Sequence, residues 1–138
     1  MATNTITSVY QGGMSFKANA KGHNVVIDLP EASGGNNLAS SPKILMLVSL
    51  AGCTGVDVVD ILNKMRVSFS HFSINVHAHL TEDHPKIYDE VEVTYTIKVD
   101  KKNEGKMKKA VALSQDKYCG VSEMFRAFAK LSHKVNFV

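Results

Sequence analysis

Two side chains in this chain of 138 residues could carry redox chemistry: Cys53 and Cys119. A cysteine reacts as its thiolate, so its surroundings decide whether it is a reagent or filler. The two are far apart in sequence and no Cys-x-x-Cys occurs, which removes the zinc-ribbon and thioredoxin-type motifs. Cys53 lies in Leu50-Ala51-Gly52-Cys53-Thr54-Gly55-Val56-Asp57, the middle of a long apolar run. Cys119 lies in Asp116-Lys117-Tyr118-Cys119-Gly120-Val121-Ser122, where a helix is expected to begin. A thiol at a helix start faces free N–H groups and the positive end of the dipole, so its pKa is expected to fall. Cys53, at mid-helix, gets no such help. Asp57, one turn on, would raise a nearby thiol's pKa rather than lower it. It reads as a packing or hydrogen-bonding residue. From the residues alone two readings stand together: inert buried thiols, or a reactive pair.

The other polar side chains read as surface. His71, His77 and His79 fall on one face of a strand-like run. A pair at i, i+2 on a wet strand face is far more often solvated than metal-bound. Glu90 and Glu92 are placed to pair with such histidines across a hairpin. The Gly34–Asn37 loop has no phosphate-loop pattern. No cofactor and no metal site is expected.

The elements that must position the cysteines follow from periodicity. Thr5–Tyr10, Met14–Ala20 and Asn24–Leu29 read as short strands of an antiparallel meander. A loop over Pro30–Ser41 ends at Ser41-Pro42, a good helix start. That helix is expected to run to Met65, with its first half buried on most faces and an Asp60–Lys64 pair on its second half. Gly52 and Gly55 flank Cys53, either for close packing or for clearance around the sulfur. Two long strands follow, apolar at Phe72, Ile74, Val76, Ala78, Leu80 and at Val91, Val93, Tyr95, Ile97, Val99. A helix is expected from Glu104 to Ser114 and a break at Gln115–Tyr118. Helical spacing then runs through Val121, Met124, Phe125, Phe128 and Leu131, and Lys134–Val138 reads as a last strand. The order βββ–α–ββ–α–α–β is an α+β class, in one domain spanning 1–138.

Composition narrows the function further. The chain is 44% hydrophobic and 21% charged, ordinary for a globular protein. Lys outnumbers Arg 14 to 2, and no Arg or aromatic residue interleaves the Lys101–Lys109 patch, so nucleic-acid binding is not expected. The charge-free stretch between Lys43 and Asp57 is shorter than the roughly 20 residues a membrane span needs. The N-terminus has neither a basic region nor an apolar core of a leader. A cytoplasmic protein without a membrane partner is expected.

In combination these features resemble the OsmC/Ohr family of small thiol-dependent redox proteins, over essentially the whole chain. The resemblance rests on Ser41-Pro42, on Leu50-Ala51-Gly52-Cys53, on Asp57-Val58-Val59-Asp60-Ile61-Leu62, on Asp116-Lys117-Tyr118-Cys119 with Val121-Ser122, and on the spacing of the two cysteines. Gly22-His23 before Val25-Val26-Ile27-Asp28 looks most like a less characterised redox branch. The resemblance implies an OsmC-like fold, with antiparallel sheets around a long central helix in an intertwined homodimer. It implies that Cys53 attacks an organic hydroperoxide, that Cys119 resolves the product, and that a dithiol restores the pair. The peroxidase members also use an Arg from the N-terminal strands and a Glu near the helix start. Here the only arginines are Arg66 and Arg126, and Lys43 and Ile44 stand near the Glu position. Lys43, His23 or Lys117 would be left to supply positive charge. The alternative is a non-enzymatic protein of this fold that binds a small apolar ligand at the dimer interface.

Overall fold

Alternation of apolar and polar residues builds the longest pair of strands. In β5, Tyr88–Val99, the side chains of Val91, Val93, Tyr95 and Ile97 are buried and their neighbours face outward, as a pleat of period two requires. β4, Phe69–Leu80, lies antiparallel to β5, with Val76 opposite Val93 and Ala78 opposite Val91. The register slips between Ser70 and Ser73, and His71 takes a φ of 52° there. His71 therefore sits in a bulge and not in the regular row that holds His77 and His79. The computed structural model describes residues 2–138. Met1, where the expected leaderless N-terminus begins, lies outside them.

The described residues form two compact units, one ending at Leu47 and one spanning Val48–Val138. In the first, β1 (Thr7–Gly12), β2 (Ser15–Ala20) and β3 (His23–Ile27) make the expected antiparallel meander. The loop after β3 folds around Asp28, whose carboxylate accepts N–H bonds from Leu29, Asn36 and Leu38 at 2.7, 3.3 and 3.1 Å. Gly35 is required there, because a Cβ would run into the Leu29 carbonyl.

The long helix α1 spans Pro42–Lys64, one residue short of the expected end. Pro42 at the first position loses no bond, and Leu45 N–H closes the first turn on the Ser41 carbonyl at 3.4 Å. Only one stripe of α1 is buried: Leu50, Thr54, Val58 and Leu62, at i, i+4 spacing. The expectation of burial on most faces fails. Ile44, Met46, Val48 and Val56 are exposed, Val56 by 70%. By length and composition alone α1 could cross a membrane, although its charge-free stretch is short. Its second half nevertheless packs on protein. Thr54 bonds Tyr95 of β5 at 2.7 Å, and a Cβ on Gly55 would lie 3.0 Å from the Ile74 Cδ1 of β4. Close packing is thus the reason for Gly55, while Gly52 faces open space.

The end of the chain corrects two further expectations. α2 is Glu104–Leu113, burying Met107, Ala110 and Val111. The expected break is a π-helical turn over Ser114–Tyr118, and α3 is only Gly120–Arg126. The helical spacing out to Leu131 is coincidental. Phe128 and Ala129 N–H both close on the Phe125 carbonyl, at 3.1 and 2.8 Å, and the chain then leaves as β6, Lys130–Phe137. Leu131 pairs with Val91 in that strand, and β6 runs parallel to β5. The second sheet is therefore mixed and not antiparallel. The crossover through α2 and α3 is the long connection a parallel pair demands. Among the described residues the result is two three-stranded sheets and three α-helices.

Candidate functional site

Cys53 and Asp57 are four residues apart on α1, so they share one face of the helix. Cys119 caps α3. Its φ and ψ of −78° and 100° are those of an extended cap residue, and its Sγ accepts the Ser122 N–H at 3.3 Å. The sulfur does here what a Ser or Asp oxygen usually does. The preceding π turn ends with Cys119 N–H on the Ser114 carbonyl, at 2.8 Å. This extra-wide turn re-aims the chain before α3.

These elements bring Cys53 Sγ, Cys119 Sγ and a carboxylate oxygen of Asp57 within 4.8 Å of one another. Cys53 is half-buried and Cys119 is 2% exposed. The two thiols share a hydrogen bond, and Val121 N–H donates to Cys53. Successive N–H groups of α3 thus serve the two sulfurs, Val121 one and Ser122 the other. Burial pushes the Cys53 thiol up, the Val121 N–H pulls it part of the way back, and the bond to Cys119 and the charges of Cys119 and Asp57 push it up again. The expectation that Asp57 works against ionisation of a nearby thiol holds.

Behind Asp57 stands a buried chain of side-chain hydrogen bonds. Ser114 Oγ donates to Asp57 Oδ2 at 3.0 Å. Thr54 Oγ1 lies 2.7 Å from Ser114 Oγ and 2.7 Å from the Tyr95 hydroxyl. Gln115 Nε2 donates to that hydroxyl at 2.6 Å. A carboxylate only accepts, so the Ser114 proton points at Asp57. The Thr54 proton must then point at Ser114, and the Tyr95 proton at Thr54. Every donor in the chain is aligned toward the carboxylate. Ser114, Thr54, Tyr95 and Gln115 were not singled out from the sequence. The one available signal was Tyr95, a tyrosine in a buried row whose hydroxyl needs a partner. Ser122 Oγ is buried without a partner beside Cys119.

An open cleft of about 520 Å³ lies next to Asp57, lined by Asp60, Ile61, Lys64, Met65, Leu113 and Tyr118. Several charged side chains of this unit are engaged with neighbours of their own. Lys64 pairs with Asp60 at 2.7 Å, as expected. His79 pairs with Asp89 at 2.6 Å rather than with Glu90, and Glu92 with Lys134 at 3.2 Å. Arg126 pairs with Glu123 at 2.8 Å, and Lys117 Nζ lies 5.3 Å from the centre of the Tyr118 ring.

This fold carrying two neighbouring cysteines defines the class: the chain belongs to the OsmC-like protein family, whose model matches residues 34–134. Among individual proteins it is similar to Protein YhfA of Escherichia coli K12, with 25% identity over 91% of this chain and 92% of that one. A hypothetical protein from Aquifex aeolicus VF5 is 30% identical, over 100% of this chain and 99% of that one, with a TM-score of 0.80. An organic hydroperoxide resistance protein OsmC from Legionella pneumophila shares the fold at 17% identity and a TM-score of 0.69, over 99% of this chain and 98% of that one.

Proposed function

We propose that this chain is a thiol redox protein that reduces organic hydroperoxides, with Cys53 attacking and Cys119 resolving. The observation that carries this reading is the approach of the two sulfurs within 4.8 Å, one half-buried and one buried. The name of the Legionella protein of the same fold supports the choice of substrate class. In the first step the Cys53 thiolate bonds to one peroxide oxygen, the O–O bond breaks, and the alkoxide takes a proton to leave as alcohol. Cys53 is then a sulfenic acid. Cys119 as thiolate attacks that sulfur, a disulfide forms, and hydroxide leaves as water after protonation. A cellular dithiol returns both thiols by exchange. We place the protein in the cytoplasm, where such reductants keep thiols free.

A second copy of this chain is the partner we assign to the apolar side of α1. Val48 and Val56 stand 58% and 70% exposed there, a cost that burial against a partner removes. Light scattering should give twice the chain mass, and a stable monomer would refute the pairing. The experiment for the activity is consumption of cumene hydroperoxide with dithiothreitol as reductant. Wild type should turn over and Cys53→Ser should not.

One observation favours a second reading. The raised Cys53 pKa slows thiolate chemistry, and an open groove of about 560 Å³ with Gly52, Gly55, Val56, Val59 and Phe72 in its walls could take a small apolar ligand without catalysis. On that reading peroxide consumption by wild type equals that of Cys53→Ser.

A further inference from the structure

The reduced cysteine pair has a third neighbour that peroxide chemistry does not use. Asp57 presents an oxygen within 4.8 Å of both sulfurs. When ionised, the three groups crowd like charges into one corner, and a bound dication removes that repulsion. Two thiolates and a carboxylate are the donor set of a borderline-soft divalent cation. We propose that reduced Cys53, Cys119 and Asp57 bind zinc as three protein ligands, with the fourth position left to water or a small thiol.

Three features of the site fit that assignment. With Zn–S of about 2.3 Å and Zn–O of about 2.0–2.2 Å in a tetrahedron, the sulfurs sit about 3.8 Å apart and sulfur and oxygen about 3.5 Å apart. From separations within 4.8 Å, closing the triangle to that size needs a shift of about 1.3 Å at most, within the reach of side-chain torsions. The carboxylate is already oriented by the Ser114 hydroxyl, and through it by Thr54 and Tyr95. Such outer partners are what hold metal ligands in place. Each sulfur also accepts a backbone N–H, from Val121 or Ser122, which spreads the charge of a metal-bound thiolate. All three ligands lie in the Val48–Val138 unit. Cys53 is half-buried, so an ion can reach the site. The inference rests on this geometry and stands whether or not the pair reduces peroxides. Metal and disulfide exclude each other, because a disulfide has no thiolate to offer.

The test titrates the reduced full-length protein with Zn²⁺ against a chromophoric chelator, and separately with Co²⁺ as a spectroscopic probe, under anaerobic conditions. We expect one ion per chain and release of close to two protons per zinc at neutral pH, because both thiols must ionise. Co²⁺ should give the intense visible bands of a four-coordinate ion and a sulfur-to-cobalt charge-transfer band. Cys53→Ser and Cys119→Ser should each lose the site. Ser114→Ala should weaken zinc by about 10–100-fold, and Asp57→Asn, which removes a ligand, by at least as much. Circular dichroism identifies any variant that fails to fold, and the wild-type cobalt spectrum tests the proposal without variants. Absence of the charge-transfer band in wild type overturns it. So does a folded Asp57→Asn protein that binds zinc as tightly as wild type, since the cysteines alone would then be chelating.

Discussion

The hydroxyl of Ser114, at the end of α2, donates to the carboxylate of Asp57 on α1 across 3.0 Å. This bond ties the turn that leads to Cys119 to the helix that carries Cys53. It is also the last link of the chain from Gln115 through Tyr95 and Thr54. The cysteine site is therefore backed by a buried polar network set among the apolar core residues of α1 and β5.

Breaking that network should be costly. Thr54→Val keeps the shape but removes the hydroxyl shared by Tyr95 and Ser114. Tyr95→Phe removes the acceptor of the Gln115 amide. Each leaves a buried polar group without a partner, and each should destabilise the protein by about 1–3 kcal/mol. Urea unfolding measures this. A change near zero in both variants would mean that the network contributes little.

Asp57 should add a minor share, behind burial, to what holds Cys53 protonated. Its charge is among the causes that raise the Cys53 thiol. In Asp57→Asn the midpoint of Cys53 alkylation against pH should move down, and iodoacetamide should label Cys53 faster at pH 7. Mass spectrometry of the Cys53 peptide reads the rate. An unchanged or slower rate would show that the carboxylate does not act on this sulfur.

Asp28 should set the acid limb of stability for the residues around it. Its pKa is lowered from the ordinary 3.8, by the N–H groups of Leu38 and Leu29 first, with burial opposing and Asn36 adding less. A carboxyl with a lowered folded pKa contributes stability at neutral pH and loses it as the pH falls below about 4 and through the folded value. Asp28→Asn should be less stable at pH 7 and should show a flatter decline in acid. Equal acid limbs in the two proteins would contradict this.

Much of the architecture is legible in the sequence because it is local. The alternation from Val91 to Ile97 gives β5, and Ser41-Pro42 gives the start of α1. Both cysteines can be placed on their elements in advance. What is not legible is non-local. Thr54 and Asp57 share a turn of α1, but Tyr95 and Ser114 lie far from them in the chain, and although Asp57 reads in advance as a hydrogen-bonding residue, its partner does not. Leu131 continues a helical spacing by coincidence, and only its pairing with Val91 makes it a strand residue. The apolar run from Ile44 to Val56 fits a buried helix, yet it leaves Val48 and Val56 uncovered.

The central claim is that Cys53 and Cys119 form a redox pair with distinct roles. The most direct measurement is intact mass of the reduced protein after cumene hydroperoxide, with Cys53→Ser and Cys119→Ser alongside. Wild type should lose two hydrogens and yield a Cys53–Cys119 peptide, and Cys119→Ser alone should trap a sulfenic acid at Cys53. Survival of both thiols in excess peroxide, or a sulfenic acid trapped first at Cys119, would contradict the account.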